Sequence, residues 1–191
     1  MSDSQKAREI ARHKERTQKH KTVVDAKIAA AQEDKGLLLV LTGNGKGKSS
    51  SAFGMVARTL GYGHKAAVFQ FIKGAENVGE RAFFADHPDV IWERCGEGFT
   101  WETQDRTRDI AAARAGWEKA KVALADPSIH IIILDELTYL VTYRYLSLAE
   151  IMPAIRDRPP MQHVVITGRA AHDELIEAAD TVSAIRDVKH A

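Results

Sequence analysis

Apolar residues in this chain fall into short unbroken runs, separated by stretches with helical spacing. "LLLVLT" (37–42), "AAVFQFI" (66–72), "IHIIIL" (129–134) and "HVVIT" (163–167) lack the in–out alternation of a half-exposed strand. They read as strands covered on both faces. "VIWERC" (90–95) and "TVSAIR" (181–186) predict two more strands. Between the runs, "SSSAFGMVARTLGYG" reads as a helix closed by glycines. From Thr103 onward, Ile110, Trp117 and Leu124, with Ala113 and Ala120, form one apolar helical face. "SLAE" (147–150) has the Ser-x-x-Glu form of a capping box and opens a helix that "RDRPP" stops; "HDELIEAAD" is a further short helix. Strands alternating with helices predict an α/β fold, a mostly parallel sheet with helices on both faces. Ligands of such sheets sit beyond the C-terminal ends of the strands.

The first segment breaks this pattern. Residues 2–35 are rich in Lys, Arg, Glu, Gln and Ala, contain no Gly or Pro, and carry few large apolar residues: Ile10, Val23, Val24 and Ile28. The composition favours a helix without the apolar face that would stabilise it alone. The expected organisation is an N-terminal helical extension over 1–35 and a single domain over 36–191.

Global properties narrow the function class. A chain of 191 residues with a net charge of +1 has no electrostatic footprint for nucleic acid or an acidic membrane surface. No apolar run approaches membrane-spanning length, so no membrane association is expected. The single cysteine, Cys95, forms no internal disulfide, which fits a reducing cytoplasm. The eight histidines show no metal-ligand spacing and are assigned no role.

The chemistry concentrates in "TGNGKGKSSSAFG" (42–54), directly after the first buried strand. Gly43, Gly45 and Gly47 alternate, so backbone N–H groups can turn toward an anion without Cβ atoms in the way. The next helix offers the positive end of its dipole. Lys48 supplies a point charge and Ser49 a hydroxyl suited to Mg²⁺. The usual phosphate-loop formula has Gly at its first position where this chain has Thr42, so a variant loop is expected. "IIILDE" places Asp135 and Glu136 at the end of a buried strand, where a carboxylate completes the metal site of phosphate-loop proteins. Acids there also suit a helix N-terminus, and sequence alone leaves open which of the two meets the metal. Arg58 and Arg169 are available to stabilise phosphate charge. The Asn-Lys-x-Asp signature of guanine recognition is absent. These residues predict a Mg-nucleotide protein; hydrolysis to ADP, kinase activity and non-catalytic binding all remain open.

"TGNGKGKSSSAFG", "FQFIKG", "GEGFTWETQDRTRD", "LDELTY", "VVITGR" and "DTVSAIRDVKHA", in this order, closely resemble the ATP:corrinoid adenosyltransferases of RecA-like phosphate-loop type. The resemblance spans nearly the whole chain; where the usual pattern is "TGRG", this chain has "TGRA", ending in Ala170. It implies transfer of the 5′-deoxyadenosyl group of ATP to cobalt(I) of a corrinoid, with release of triphosphate. ATP would lie in reversed polarity, with its γ-phosphate deep in the loop. Nucleotide contacts carry over to Gly43, Asn44, Gly45, Lys46, Gly47, Lys48, Ser49 and Ser50, with Arg58 and Arg169. Mg²⁺ or Mn²⁺ carries over to Ser49 with Glu136 or Asp135. By composition alone Phe99 and Trp101 suit a loop tucked into the core. The resemblance instead implies that they press on the lower corrin face and exclude an axial ligand. It further implies a homodimer, an N-terminal helix over the active site, and a flavodoxin-like flavoprotein as electron donor.

Overall fold

The computed structural model describes residues 3–72, 79–96 and 105–189. The chain divides into two compact units, Met1–Asp34 and Lys35–Ala191. The first is helix α1 (Asp3–Ala30), with Lys19–Glu15 and Lys21–Asp25 ion pairs at i,i+4 spacing. Such pairs contribute only a few tenths of a kcal/mol each, about 0.2–0.5.

The second unit runs β1 (Leu38–Thr42), α2 (Lys48–Gly61), β2 (Lys65–Gln70), α3 (Gly79–Phe84), β3 (Val90–Arg94), α4 (Arg106–Leu124), β4 (Ile129–Asp135), α5 (Leu137–Thr142), α6 (Leu148–Arg156), β5 (His163–Thr167), α7 (Asp173–Ala178) and β6 (Thr181–Ala184). The strands form one sheet in the order β3-β2-β4-β5-β1-β6, and every pairing is parallel. This is the α/β fold that the apolar runs predict. Among the described residues no helix is long and apolar enough to cross a membrane.

The runs are unbroken because both faces of the sheet are covered. Val40, Ala67, Phe69, Ile132, Leu134, Val164 and Ile166 point into one apolar cluster, shared with Trp117 of α4 and Ile151 of α6. Their neighbours Leu41, Ala66, Val68, Ile131, Ile133 and Val165 point into the other, against Phe53 and Val56 of α2. Successive residues of a strand thus serve opposite layers. Ile132 and Ile133 are both fully buried, and truncating either to Ala would cost about 2–5 kcal/mol.

Local signals fix the helix ends. Asp105 caps α4, its Oδ1 accepting the N–H groups of Thr107 and Arg108. The Ser147–Glu150 capping box forms in full at α6. Cys95 is buried where α4 comes so close that a Cβ on Gly116 would strike its side chain. Burial, reinforced by the Glu93 charge, pushes its thiol up to about 12, so it stays protonated and unreactive.

Candidate active site

β1 delivers the glycine-rich loop to the C-terminal edge of the sheet. Gly43 (φ 92°) and Gly47 (φ 110°) both lie in the left-handed region, which a side chain at either position would strain. Gly47 stands immediately before the first turn of α2. Lys48 is 8% exposed, and its ammonium folds back onto the loop, donating to Gly43 O at 2.8 Å and Gly45 O at 2.6 Å. Thr42 does more than displace a glycine: its Oγ1 accepts the Ala171 N–H at 3.3 Å, tying the loop's entry to the turn after β5.

β4 delivers the two acids, and they part company. Asp135 is fully buried. Its Oδ1 accepts the Thr167 hydroxyl at 2.7 Å and its Oδ2 accepts Gln70 Nε2 at 3.0 Å. Gln70 Oε1 in turn accepts the Trp92 indole N–H at 3.1 Å. Glu136 follows in the left-handed conformation, φ 63°, which swings it out of the strand's alternation. It lines a cavity of about 690 Å³ together with Lys46, Lys48, Ser49, Ser50 and Arg169. That volume suits a nucleotide-sized ligand.

The electrostatics of the cavity favour an anion. Burial lowers the Lys48 pKa; the Glu136 carboxylate opposes this, while Arg169 and Lys46 add to it. A buried ammonium with two further cations beside it makes a site that an incoming polyphosphate would relieve. Across the cavity, burial raises the Tyr139 pKa, with the Glu136 charge next in size.

The oxygen donors fit a hard divalent cation. The Ser49 hydroxyl and the Glu136 carboxylate face the same cavity, whereas both Asp135 oxygens are engaged inside the core. Among the described residues no cluster of three His, Cys, Asp or Glu side chains is arranged to hold a metal ion. A Mg²⁺ here would therefore complete its shell with water and ligand phosphate oxygens, as that ion commonly does.

The family described as "ATP:corrinoid adenosyltransferase BtuR/CobO/CobP" matches residues 34–191. The chain belongs to the ATP:corrinoid adenosyltransferase family. A second description, "Cob(I)alamin adenosyltransferase N terminal", matches residues 1–28. A corrinoid adenosyltransferase of Pseudomonas aeruginosa is 57% identical over 181 residues, covering 94% of this chain and 89% of its own. One of Escherichia coli is 49% identical over 180 residues, covering 94% and 91%. The corrinoid adenosyltransferase CobA of Salmonella typhimurium shows the same identity and coverage.

Of the residues that resemblance to the adenosyltransferase family singles out, Gly45 through Ser50, Glu136 and Arg169 border the one cavity. Gly43 shapes the loop behind it. Asn44 is exposed on the loop and does not line the cavity. Arg58 stands apart: it is exposed in the last turn of α2, about 15 Å of helical rise from Lys48. Phe99 and Trp101 lie outside the described residues. Sequence reasoning overlooked Ile72, Glu80, Tyr139 and Tyr143, which also line the cavity. The two tyrosines carried a signal, since i,i+4 spacing directly after the β4 acids puts them on one helical face; their rings lie 5.7 Å apart.

Proposed function

We propose that this chain transfers the 5′-deoxyadenosyl group of ATP to the cobalt of a reduced corrinoid and releases triphosphate. The observation that carries the reading is the convergence of Lys46, Lys48, Arg169, Ser49 and Glu136 on one cavity, in a chain of the corrinoid adenosyltransferase family. In this reaction the C5′–O bond of ATP breaks and a Co–C5′ bond forms. Cobalt(I) supplies the electron pair, and the triphosphate oxygen leaves with the pair of the broken bond. No protein nucleophile or catalytic water is needed, so the protein contributes orientation and leaving-group stabilisation.

The residues divide that work. Lys48 exchanges its loop carbonyls for phosphate oxygens, while Lys46 and Arg169 balance charge at the cavity wall. Ser49 and Glu136, not Asp135, would hold Mg²⁺. When bound, that ion neutralises charge on the triphosphate oxygens. Tyr139 and Tyr143 supply aromatic lining to the cavity that limits water. Phe99 and Trp101 act as the wedge beneath the corrin, which favours four-coordinate cobalt(II) and eases its reduction. Residues 1–35 act as a helical extension to the 36–191 domain. A homodimer and a flavodoxin-like donor complete the proposal; both are supported by the resemblance.

The test is an anaerobic assay with Mg-ATP and chemically prepared cobalt(I) corrinoid. Light-sensitive adenosylcorrinoid formed together with triphosphate is the expected result. ADP and phosphate without a cobalt–carbon product would overturn it.

A further inference from the structure

β6 is an unusual edge strand, because all four of its residues, Thr181 to Ala184, are exposed. It contributes no buried side chain to either apolar layer, so hydrophobic burial does not explain its place on the sheet. What it has instead is a set of polar ties to β1 and to the phosphate loop. Before the strand, Asp180 N–H donates to Leu38 O at 2.9 Å, and its Oδ2 accepts the Leu38 N–H at 2.8 Å. After it, Ile185 N–H donates to Thr42 O at 2.8 Å, and Ile185 O accepts the Gly45 N–H at 2.8 Å.

The contact leaves no room. A Cβ on Gly43 would run into Ile185 O, and a Cβ on Gly45 would stand 2.5 Å from Arg186 O and 2.8 Å from Ile185 Cγ2. Two of the three alternating glycines, Gly43 and Gly45, thus also make room for the C-terminal segment. Gly45 is the joint: its N–H is held by Ile185 and its C=O by the Lys48 ammonium. The Gly45 N–H is turned to the C-terminal segment and away from an anion.

We propose that Ile185 is a positioning residue for the phosphate loop: its backbone clamps Gly45 and Thr42 and so sets the placement of Lys48 for the triphosphate of ATP. The inference rests on the phosphate reading of the cavity. It predicts that nucleotide affinity depends on a segment that is remote in sequence and hydrogen-bonds to the loop through backbone atoms.

A double-mutant cycle tests it, with Mg-ATP and inorganic tripolyphosphate as the titrated ligands in calorimetry. In the full chain, Gly45→Ala is expected to raise Kd about tenfold or more, the scale of a lost hydrogen bond. In a chain ended at Ala184, which itself binds more weakly, the same substitution should change Kd by less than about twofold, because the clash partner is gone. Equal factors in both backgrounds would overturn the clamp. If the shortened chain does not fold, Ile185→Pro in the full chain removes the N–H bonded to Thr42 O, together with the isoleucine side chain. The clamp then requires a higher nucleotide KM at retained kcat. A fall in kcat at unchanged KM is the mark of less folded protein and would overturn it. Failure of the unaltered chain to bind either ligand is a distinct result, and it would reject the phosphate reading together with the clamp.

Discussion

Thr167 joins the buried acid Asp135 to the cavity-facing acid Glu136. Its hydroxyl donates to Asp135 Oδ1 at 2.7 Å and accepts the Glu136 N–H at 2.9 Å. The network continues through Gln70 to Trp92, so three neighbouring strands and the edge strand β3 fix the peptide from which Glu136 projects. Thr167→Val keeps the shape and removes both bonds inside the core. Loss of about 1–3 kcal/mol of stability is expected, measured by denaturant unfolding, with a weaker response of activity to Mg²⁺. Unchanged stability would mean that the hydroxyl is dispensable.

The two acids should fail differently when neutralised. Glu136→Gln removes a charge facing the cavity and leaves the core untouched, so the melting temperature should hold while the Mg²⁺ needed for half-maximal activity rises tenfold or more. Asp135→Asn replaces an acceptor held by two donors, so stability should fall by about 1–3 kcal/mol. A reversed pattern, with Asp135→Asn shifting the Mg²⁺ requirement and Glu136→Gln unfolding the protein, would exchange their roles.

These contrasts mark what a linear reading can reach. The runs that became β1, β2, β4 and β5 were legible because burial on both faces writes an unbroken apolar signal. The phosphate loop was legible because its chemistry is local, and so was the capping box at Ser147. The separation of Asp135 from Glu136 was not, since it depends on the φ of 63° at Glu136 and on Thr167 and Gln70 from other strands. Helices α3 and α5 are six residues each, too short for a 3.6-residue period to show. Arg58 looked available by its nearness in sequence, but ten residues of helix carry it about 15 Å of rise from Lys48. The glycines of the loop were read as making room for phosphate, but Gly43 and Gly45 also make room for Ile185 and Arg186, a contact made across about 140 residues of chain.

Ala170 occupies the left-handed region at φ 49°, where the family pattern has glycine. An alanine there costs about 1–2 kcal/mol, and glycine would relieve this while adding about 0.4–1 kcal/mol of unfolded-chain entropy. Ala170→Gly is therefore expected to be neutral or stabilising by up to about 1 kcal/mol, with activity kept. The neighbouring Ala171 N–H to Thr42 bond should persist. A clear loss of stability would show that the alanine methyl has a packing role.

Trp101→Ala probes the proposed wedge beneath the corrin. Adenosylation starting from cobalt(II) with a reductant should fall at least tenfold more than adenosylation starting from prepared cobalt(I), because the wedge acts on the reduction step. Equal losses in the two assays would remove the wedge from the mechanism.

At the opposite edge of the sheet from the cavity, three histidines set a pH limit on the fold. The His130 ring stacks on His64 at 4.2 Å between centroids and meets His163 edge-on at 5.2 Å. His163 Nδ1 accepts the Leu37 N–H at 3.0 Å, which requires that nitrogen to be unprotonated. Burial lowers the His163 pKa, and the nearby His130 and Arg158 lower it further. Burial lowers that of His130 too, followed by the effect of His64. With folded values below the ordinary 6.5, the unfolded chain binds more protons as the pH drops past 6.5. The stabilisation is complete above that pH and is lost progressively as the pH falls through the lower folded values. The melting temperature should therefore drop by a few degrees between pH 7.5 and 5.5, at roughly 2–4 °C per kcal/mol for a chain of this size. His163→Asn, whose amide oxygen can still accept the Leu37 N–H without titrating, should flatten that dependence while activity at pH 7.5 is retained. The same slope in the variant and the unaltered protein would place the acid sensitivity elsewhere.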